Sequence, residues 1–373
     1  MAAPTPFHIR VPDAELDDLR ERLRRTRFLP DSPRRMASGM TETLLRELVD
    51  TWLGLDWRAR EAELNAYPQF LTDIDGASIH FVHSRAPQPG APTLLVMHGW
   101  PHTFALQLPL VEQLPDFNVV VPSFPGFGFS SPYSEGPMTE DRLAHTMHVL
   151  MTETLGYESY FTYGEDVSAN VNDLIAGTWP DAVAGIIATH AHFGTDTERA
   201  EYTDPAATAF FERIASDHVP NGAYGHVQAT RPDTLAAALN DSPSGLLAWI
   251  AEKLVEWSDV GISHTRIVTE AAIYWFTQSI GTSFRPYYEG ADQPGAMPKV
   301  TVPAAVFIQR HEHDYPESVA REFYRNLRTF ERLEEGGHFT VAEVPEAMAH
   351  RIRSFAQSQS FAQSQASDAR VTS

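Results

Sequence analysis

The chain has 373 residues, 43% of them hydrophobic, which is enough to bury the core of one large domain with an insertion, or of two domains. Its 49 acidic and 28 basic residues give a formal net charge of −21, which argues against nucleic acid and anionic membrane surfaces as partners. The absence of cysteine excludes disulfides, thiol chemistry and cysteine-ligated metals.

The N-terminal 69 residues are predicted to form helices that need a surface to pack on. Leu16, Leu19 and Leu23 recur at helical spacing, and a second amphipathic helix begins near Thr41. Residues 1–30 lack the apolar core of a signal peptide, and no segment approaches the roughly 20 apolar residues that span a bilayer. We therefore expect a helical wrap on a cytoplasmic protein without a membrane anchor.

Strands and helices alternate from residue 70 to residue 189. A hairpin over 70–83 turns at Asp75-Gly76, and apolar strands follow, with the same pattern resuming over 289–357. This alternation is typical of a mostly parallel sheet covered by helices on both faces, and it predicts the α/β class. The later apolar strands are expected at 93–97, 118–121, 160–163, 184–189 and 304–309.

Residues 190–288 interrupt this alternation, because they contain helical runs but no strand pattern. We predict that they form a helical cap over the carboxyl edge of the sheet. The polar tail, residues 358–373, overlaps a repeated Ser-Phe-Ala-Gln-Ser-Gln segment and is expected to be disordered. The predicted organisation is therefore a wrap (1–69), a core in two parts (70–189 and 289–357), a cap and a tail.

The strand at 160–163 turns into a helix through residues 164–168, Gly-Glu-Asp-Val-Ser. Gly164 and Ser168 stand two positions on either side of Asp166, which is the spacing of a nucleophile elbow. A carboxylate at its centre would attack carbon directly and form an ester. The alternative is that Asp166 serves only as the N-cap of the helix.

Three more segments are expected to meet this elbow at the carboxyl edge of the sheet. His338 follows two glycines between the last strand and the last helix, so the chain can turn tightly and project the imidazole. Glu312 and Asp314, after the strand at 304–309, both qualify as a carboxylate that orients His338. The backbone N–H groups of Trp100 and Val167 are expected to form an oxyanion hole, and the Trp100–Pro101 bond is a candidate cis peptide.

A metal site is a poor interpretation of the histidines in these loops. Residues 311–314, His-Glu-His-Asp, lie two apart in a loop without further converging ligands, and no His-Glu-x-x-His spacing occurs. The same holds for His190 and His192. We therefore predict no metal and no cofactor.

These motifs resemble those of the microsomal-type epoxide hydrolases, in the branch without a membrane anchor. The resemblance covers roughly residues 6–355 and implies an α/β-hydrolase fold whose activity converts an epoxide and water into a vicinal diol. The segments that carry it include His-Gly-Trp-Pro at 98–101, Pro-Ser-Phe-Pro-Gly-Phe-Gly-Phe-Ser at 122–130, Gly-Leu-Leu-Ala-Trp at 245–249 and Gly-His-Phe at 337–339.

The resemblance also implies a role for each candidate site residue. Asp166 matches the nucleophile and His338 the general base. Glu312, rather than Asp314, matches the acid. Tyr224 and Tyr287, both in the cap, match the two tyrosines that protonate the epoxide oxygen. The only small partners implied are the epoxide and water.

The elbow departs from the Gly-Gly-Asp-Trp-Gly usual in this family. Val167 removes an aromatic wall and is expected to widen the pocket, while Glu165, if turned toward Asp166, would raise the pKa of that nucleophile.

Three rival functions stay open at this point. A dehalogenase could use the same nucleophile, although Val167 removes the tryptophan that often holds the halide. A serine hydrolase would need its nucleophile at the elbow centre, and Ser168 is two positions away. A non-catalytic fold member that binds a small ligand is the third.

Overall fold

The computed structural model describes residues 3–31, 39–194, 196–290, 297–310 and 314–371, and in these residues one sheet of nine strands forms the centre. The strands are β1 Thr5–Phe7, β2 Gln69–Ile74, β3 Ala77–Ser84, β4 Thr93–Met97, β5 Asn118–Pro122, β6 Tyr160–Gly164, β7 Val183–Ala188, β8 Val300–Ile308 and β9 Tyr324–Arg332.

Helices pack against this sheet and against one another. Those before the cap are α1 Asp13–Arg24, α2 Glu42–Gly54, α3 Trp57–Leu64, α4 Phe104–Gln113, α5 Glu140–Val149 and α6 Val167–Thr178, with a π-helical turn at Leu150–Thr154. Those of the cap region are α7 Asp196–Glu201, α8 Pro205–Asn221, α9 Ala223–Thr230, α10 Pro232–Asp241, α11 Pro243–Glu256, α12 His264–Thr277, α13 Ile280–Ser283 and α14 Arg285–Glu289. The last are α15 Glu317–Phe323, α16 Thr340–Glu343 and α17 Pro345–Val371.

The sheet runs in the order β1-β2-β3-β5-β4-β6-β7-β8-β9. The pairs β1–β2, β2–β3 and β3–β5 are antiparallel, and the pairs β4–β5, β4–β6, β6–β7, β7–β8 and β8–β9 are parallel. The chain moves outward from β4 to β5 and then returns to the other side of β4 to form β6. Ligands of open parallel sheets bind at such a reversal, beyond the carboxyl ends of the strands. The loops after β4 and β6 lie at that point.

The helices of the N-terminal segment pack on α11 and α12 of the proposed cap, and its strand β1 pairs with β2. Helices α1 and α2 contact each other and α11, and α2 also contacts α12. The buried carboxylate of Glu61 in α3 accepts hydrogen bonds from the Val11 backbone N–H (2.6 Å) and the Trp57 indole (2.9 Å). The wrap also supplies β1, an edge strand that the sequence analysis does not predict.

The C-terminal tail is expected to be disordered over residues 358–373; α17 continues to Val371, and residues 372 and 373 lie outside the described part of the chain. The repeated Ser-Phe-Ala-Gln-Ser-Gln segment contains neither glycine nor proline, so nothing in it interrupts a helix that begins at Pro345. The division into wrap, core and cap stays a proposal, with α7–α14 occupying the interval assigned to the cap. None of the helices within the described ranges is both long and apolar enough to cross a membrane.

The close approach of β6 and α6 depends on the glycine that ends β6. A Cβ atom on Gly164 would lie 2.3 Å from the Ser168 carbonyl oxygen and 2.8 Å from the Asn172 Cβ. Because backbone cannot move aside cheaply, we expect Gly164→Ala to lower the free energy of unfolding by about 1–3 kcal/mol. Chemical denaturation of the purified variant measures this change.

Gly54→Ala is the matched control for this prediction. Gly54 ends α2, and no heavy atom lies within 4 Å of the position that its Cβ would take. Alanine is the better helix former, so this variant should be as stable as the wild type or more stable by up to about 1 kcal/mol. Equal denaturation midpoints for Gly164→Ala and the wild type would contradict the packing argument.

Candidate active site

Asp166 stands at the junction of β6 and α6 with φ 55° and ψ −128°, a conformation that residues with a side chain rarely adopt. Such strain costs on the order of 1–3 kcal/mol and is typical of functional sites. Asp166 is the N-cap residue of α6, but its side chain makes no capping hydrogen bond. The N-cap alternative therefore does not explain this carboxylate.

Ser168 closes the turn instead of presenting a nucleophile. Its hydroxyl accepts from the Glu165 backbone N–H (2.8 Å) and lies 2.7 Å from the Glu165 carbonyl oxygen, to which it donates. The side chain is fully buried. Ser168 thus stabilises the turn of the elbow, and a substrate cannot reach its buried hydroxyl.

The loop after β4 reaches the carboxylate from the other side. The Trp100 backbone N–H donates to Asp166 Oδ1 at 2.8 Å, and the Trp100–Pro101 bond is cis, which confirms the expectation from the sequence. The loop approaches so closely that a Cβ on Gly99 would lie 2.5 Å from the Asp166 Cβ. His98 fixes this loop, because it accepts from the Phe124 backbone N–H (3.1 Å) and contacts the Gly99 carbonyl oxygen (2.9 Å).

His338 lies across the site, between β9 and α16. Its Nε2 is 3.1 Å from Asp166 Oδ2, and its backbone N–H donates to the Trp257 carbonyl oxygen at 2.9 Å. Burial raises the pKa of Asp166, but His338 and the backbone N–H groups of Trp100 and Val167 outweigh it and bring the pKa below its usual value. Asp166 is therefore ionised at neutral pH.

Glu165, next to the candidate nucleophile, points away from it. One carboxylate oxygen accepts from the Gln107 amide (2.7 Å) and lies 2.9 Å from His102 Nε2, and the other accepts from the Tyr163 hydroxyl (2.5 Å). Burial raises the pKa of Glu165, and these partners outweigh it and lower the pKa below its usual value. The inward orientation that would weaken Asp166 is therefore not adopted.

Two tyrosines of the cap cover the elbow loop. The Tyr224 ring stacks on Trp100 with 5.2 Å between centroids and 11° between planes, and Tyr287 meets Tyr224 edge-on at 6.1 Å. Burial, the negative charge of Asp166 and a hydrogen bond with Tyr224 raise the pKa of Tyr287 well above its usual value. The Tyr287 hydroxyl therefore keeps its proton at neutral pH.

Of the two carboxylates proposed as partners of His338, Asp314 lies at the surface. Glu312 lies outside the described residues. Asp314 is 68% exposed and pairs with Arg332 (3.0 Å) and Arg213 (3.5 Å), so it is committed to a surface ion network. Within the described ranges, no cluster of three or more histidine, aspartate or glutamate side chains is arranged to hold a metal ion.

One residue at the centre of the site escapes the reasoning from sequence. His190 follows β7, and its ring contacts both the backbone N–H of Asp166 (3.3 Å) and Nδ1 of His338 (3.0 Å). Sequence reasoning treats it only as a metal ligand and sets it aside. Its place just after a parallel strand, at the edge where Asp166 and His338 are expected, is the signal that would have found it.

Comparison with known proteins agrees with this geometry. A family model described as epoxide hydrolase N terminus matches residues 4–106, and one described as alpha/beta hydrolase fold matches residues 92–343. A putative epoxide hydrolase of Stigmatella aurantiaca is 33% identical, over 94% of this chain and 84% of that protein. Epoxide hydrolase 1 of Sus scrofa is 31% identical, over 94% of this chain and 88% of that protein.

Solved structures give the same assignment. Aspergillus niger epoxide hydrolase superposes with a TM-score of 0.84 at 27% identity, over 96% of this chain and 97% of that one. Juvenile hormone epoxide hydrolase of the silkworm Bombyx mori superposes with a TM-score of 0.87 at 25% identity, over 97% and 96%. The chain therefore belongs to the epoxide hydrolase family and has the α/β-hydrolase fold.

Proposed function

We propose that the protein is an epoxide hydrolase that forms a covalent ester on Asp166 and releases a vicinal diol. The observation that carries this proposal is the state of Asp166: a carboxylate held ionised at an elbow, with an N–H donor on one oxygen and an imidazole on the other. Family membership makes the epoxide the substrate, and the position of the carboxylate supports its role as nucleophile.

The first step opens the epoxide ring. Trp100 N–H holds Oδ1, so Oδ2 is the oxygen that attacks carbon, and the ester bond forms as the carbon–oxygen bond of the epoxide breaks. Tyr224 and Tyr287 donate hydrogen bonds to the departing oxygen, and one of them gives it a proton. The raised pKa of Tyr287 supports this role, because only a protonated hydroxyl can donate.

The second step hydrolyses the ester. His338 Nε2 faces Oδ2 in the free enzyme, so the same nitrogen is placed to take a proton from a water that attacks the ester carbonyl carbon. The backbone N–H groups of Trp100 and Val167 stabilise the oxyanion that develops. Collapse of this intermediate breaks the bond between its central carbon and the ester oxygen, and that oxygen takes the second proton of the water and leaves in the diol. The carboxylate is regenerated, and His338 returns the first proton to the tyrosinate.

Glu312 completes the proposed triad by stabilising the protonated form of His338. The ion pairs of Asp314 support this choice, since a carboxylate bound to two arginines at the surface is a poor partner for a buried imidazole. Epoxide and water are the proposed small partners, with no cofactor or metal. A cytoplasmic location stays a prediction of the sequence.

The two cap tyrosines are expected to share the protonation of the epoxide oxygen. Tyr224→Phe and Tyr287→Phe should each slow ester formation by about 10- to 1,000-fold, because one donor remains, and the double variant should abolish it. Rapid-quench measurement of ester formation tests this. Tyr288→Phe is the matched control, since Tyr288 is 56% exposed. This variant should form the ester on Asp166 at the wild-type rate. Normal ester formation by the double variant would remove the tyrosines from the mechanism.

The covalent ester predicts where the oxygen atoms go. In a single turnover in heavy-oxygen water with enzyme in excess, the diol should carry unlabelled oxygen from Asp166, and the label should appear in the peptide containing Asp166. His338→Gln should form the ester without hydrolysing it, so the protein mass should rise by one substrate. Label in the first diol, with no adduct on the variant, is the result that a direct attack by water would produce. Release of halide instead of diol would favour the dehalogenase.

The assignment of the acid predicts a ranking between two neighbouring carboxylates. Glu312→Gln should slow ester hydrolysis by on the order of 100-fold or more, because the protonated form of His338 loses its counter-charge. Asp314→Asn is the control and should leave hydrolysis nearly unchanged. The decay of the ester after a rapid mix measures both rates. The reverse ranking would move the acid by two residues.

A further inference from the structure

Helix α9 buries a polar side chain where a helix would be expected to bury apolar ones. Gln228 is the one fully buried residue of this helix. Neither its amide oxygen nor its amide nitrogen has a hydrogen-bond partner among the described residues. An amide shut away from water without partners is costly, and most buried polar groups in proteins are paired. Packing alone therefore does not explain a glutamine at this position.

The spacing along α9 places Gln228 beside a proposed catalytic tyrosine. Residues four apart in a helix share a face, with about 5–6 Å between their Cβ atoms, so Gln228 lies one turn beyond Tyr224. The Tyr224 ring stacks on Trp100, whose backbone N–H holds the carboxylate of Asp166. The Gln228 amide is thus roughly one helical turn from the hydroxyl that is proposed to protonate the epoxide oxygen.

Two indole N–H groups belong to the same region. Trp100 is fully buried and meets the ring of Trp249, from α11, at 6.5 Å between centroids. Neither indole nitrogen has a hydrogen-bond partner within the part of the chain that the structure describes. Lys253, one turn after Trp249, lies 5.4 Å from the centre of the Tyr224 ring, so α9 and α11 approach each other beside the elbow.

The chemistry of these groups indicates what could pair with them. An indole N–H only donates, whereas the amide of Gln228 both donates and accepts. A fitting group therefore has an oxygen that accepts and an O–H or N–H that donates, as a hydroxyl or a primary amide does. A carboxylate only accepts, and the charge of Asp166 repels it. The nearby cation, Lys253, is already held by Glu252 and Glu256.

We propose that Gln228 and Trp249 form a polar subsite that selects neutral epoxides carrying a hydroxyl or a primary amide close to the ring. This inference rests on the proposed function and deepens it by naming a class of substrate. Gln228 Nε2 and the Trp249 indole donate to the oxygen of the substituent, and Gln228 Oε1 accepts from its O–H or N–H. An alkyl epoxide leaves the buried amide unpaired and is therefore disfavoured.

Matched pairs of epoxides test this selectivity. Glycidol is paired with ethyloxirane, and glycidamide with isopropyloxirane, so that each alkyl member has nearly the shape of its polar partner. Longer homologues, with about one to three further methylene groups before the hydroxyl or the amide, cover the span of one helical turn. The measured quantity is the ratio of kcat/KM for the polar member to kcat/KM for the alkyl member.

We expect the wild type to favour the polar member of at least one pair by about 10- to 100-fold. Gln228→Met keeps the length of the side chain and removes the amide, so this ratio should fall toward unity. The same variant should melt at a higher temperature, because no buried amide is left unpaired. Trp249→Phe loses one donor and should lower the ratio by up to about 10-fold. Gln88→Met is the control, since Gln88 is exposed in the loop between β3 and β4, and its ratio should equal that of the wild type.

Two results would overturn the subsite. One is a ratio that is the same in Gln228→Met as in the wild type for every pair. The other is an equal fall in kcat/KM for both members with a lowered melting temperature, which would make Gln228 a structural residue only. An unchanged ratio in Trp249→Phe would remove that indole from the subsite. Failure of the proposed function has a different signature, since neither polar nor alkyl epoxides would then give a diol or an ester on Asp166.

Discussion

The carboxylate of Asp166 is only 10% exposed, and a carboxylate with so little access to water remains charged only if hydrogen-bond donors surround it. The arrangement of the site follows from this requirement. Burial pushes the pKa of Asp166 upward, and His338 with two backbone N–H groups pushes it down further than burial raises it. The strained backbone of Asp166 directs its carboxylate toward these donors. Gly99 has no side chain, so the loop after β4 can come within contact distance of Asp166. The energy stored in the elbow is thus offset by the packing of β6, α6 and the loop after β4.

Residues of the proposed cap contact the loop after β4 through aromatic rings. Trp100, from the sheet, stacks on Tyr224 from the cap, so the loop that supplies an N–H donor also supports a tyrosine. Lys253 lies 5.4 Å from the centre of the Tyr224 ring and 5.5 Å from that of Trp257, and Glu252 and Glu256 hold its ammonium group. Because the N-terminal helices brace α11 and α12 from outside, the cap is supported on both sides.

Local features of the site were predictable from sequence, and features that depend on distant partners were not. The small residues around Asp166 and the glycines before His338 predict the tight turns in which these two residues lie. The reversal of strand order then brings both turns to one edge of the sheet. The orientation of Glu165 was beyond reach, because it is decided by Gln107, 58 residues away, and by His102. The contact of His190 with His338 spans 148 residues, so only the assembled sheet reveals it.

The pairing of Glu165 with His102 limits the routes by which this chain can change. Each of the two side chains is fully buried, and His102 Nε2 lies 2.9 Å from Glu165 Oε1 and 3.1 Å from the Gly99 backbone nitrogen. Replacing Glu165 alone with a small residue would leave the Gln107 amide and the Tyr163 hydroxyl without their buried acceptor, at a cost of about 1–3 kcal/mol. Replacing His102 alone would remove one contact of a buried carboxylate that keeps Gln107 and Tyr163 as donors. A change at position 165 therefore disturbs its buried neighbours, and a library that varies positions 102 and 165 together should recover stable variants that single changes miss.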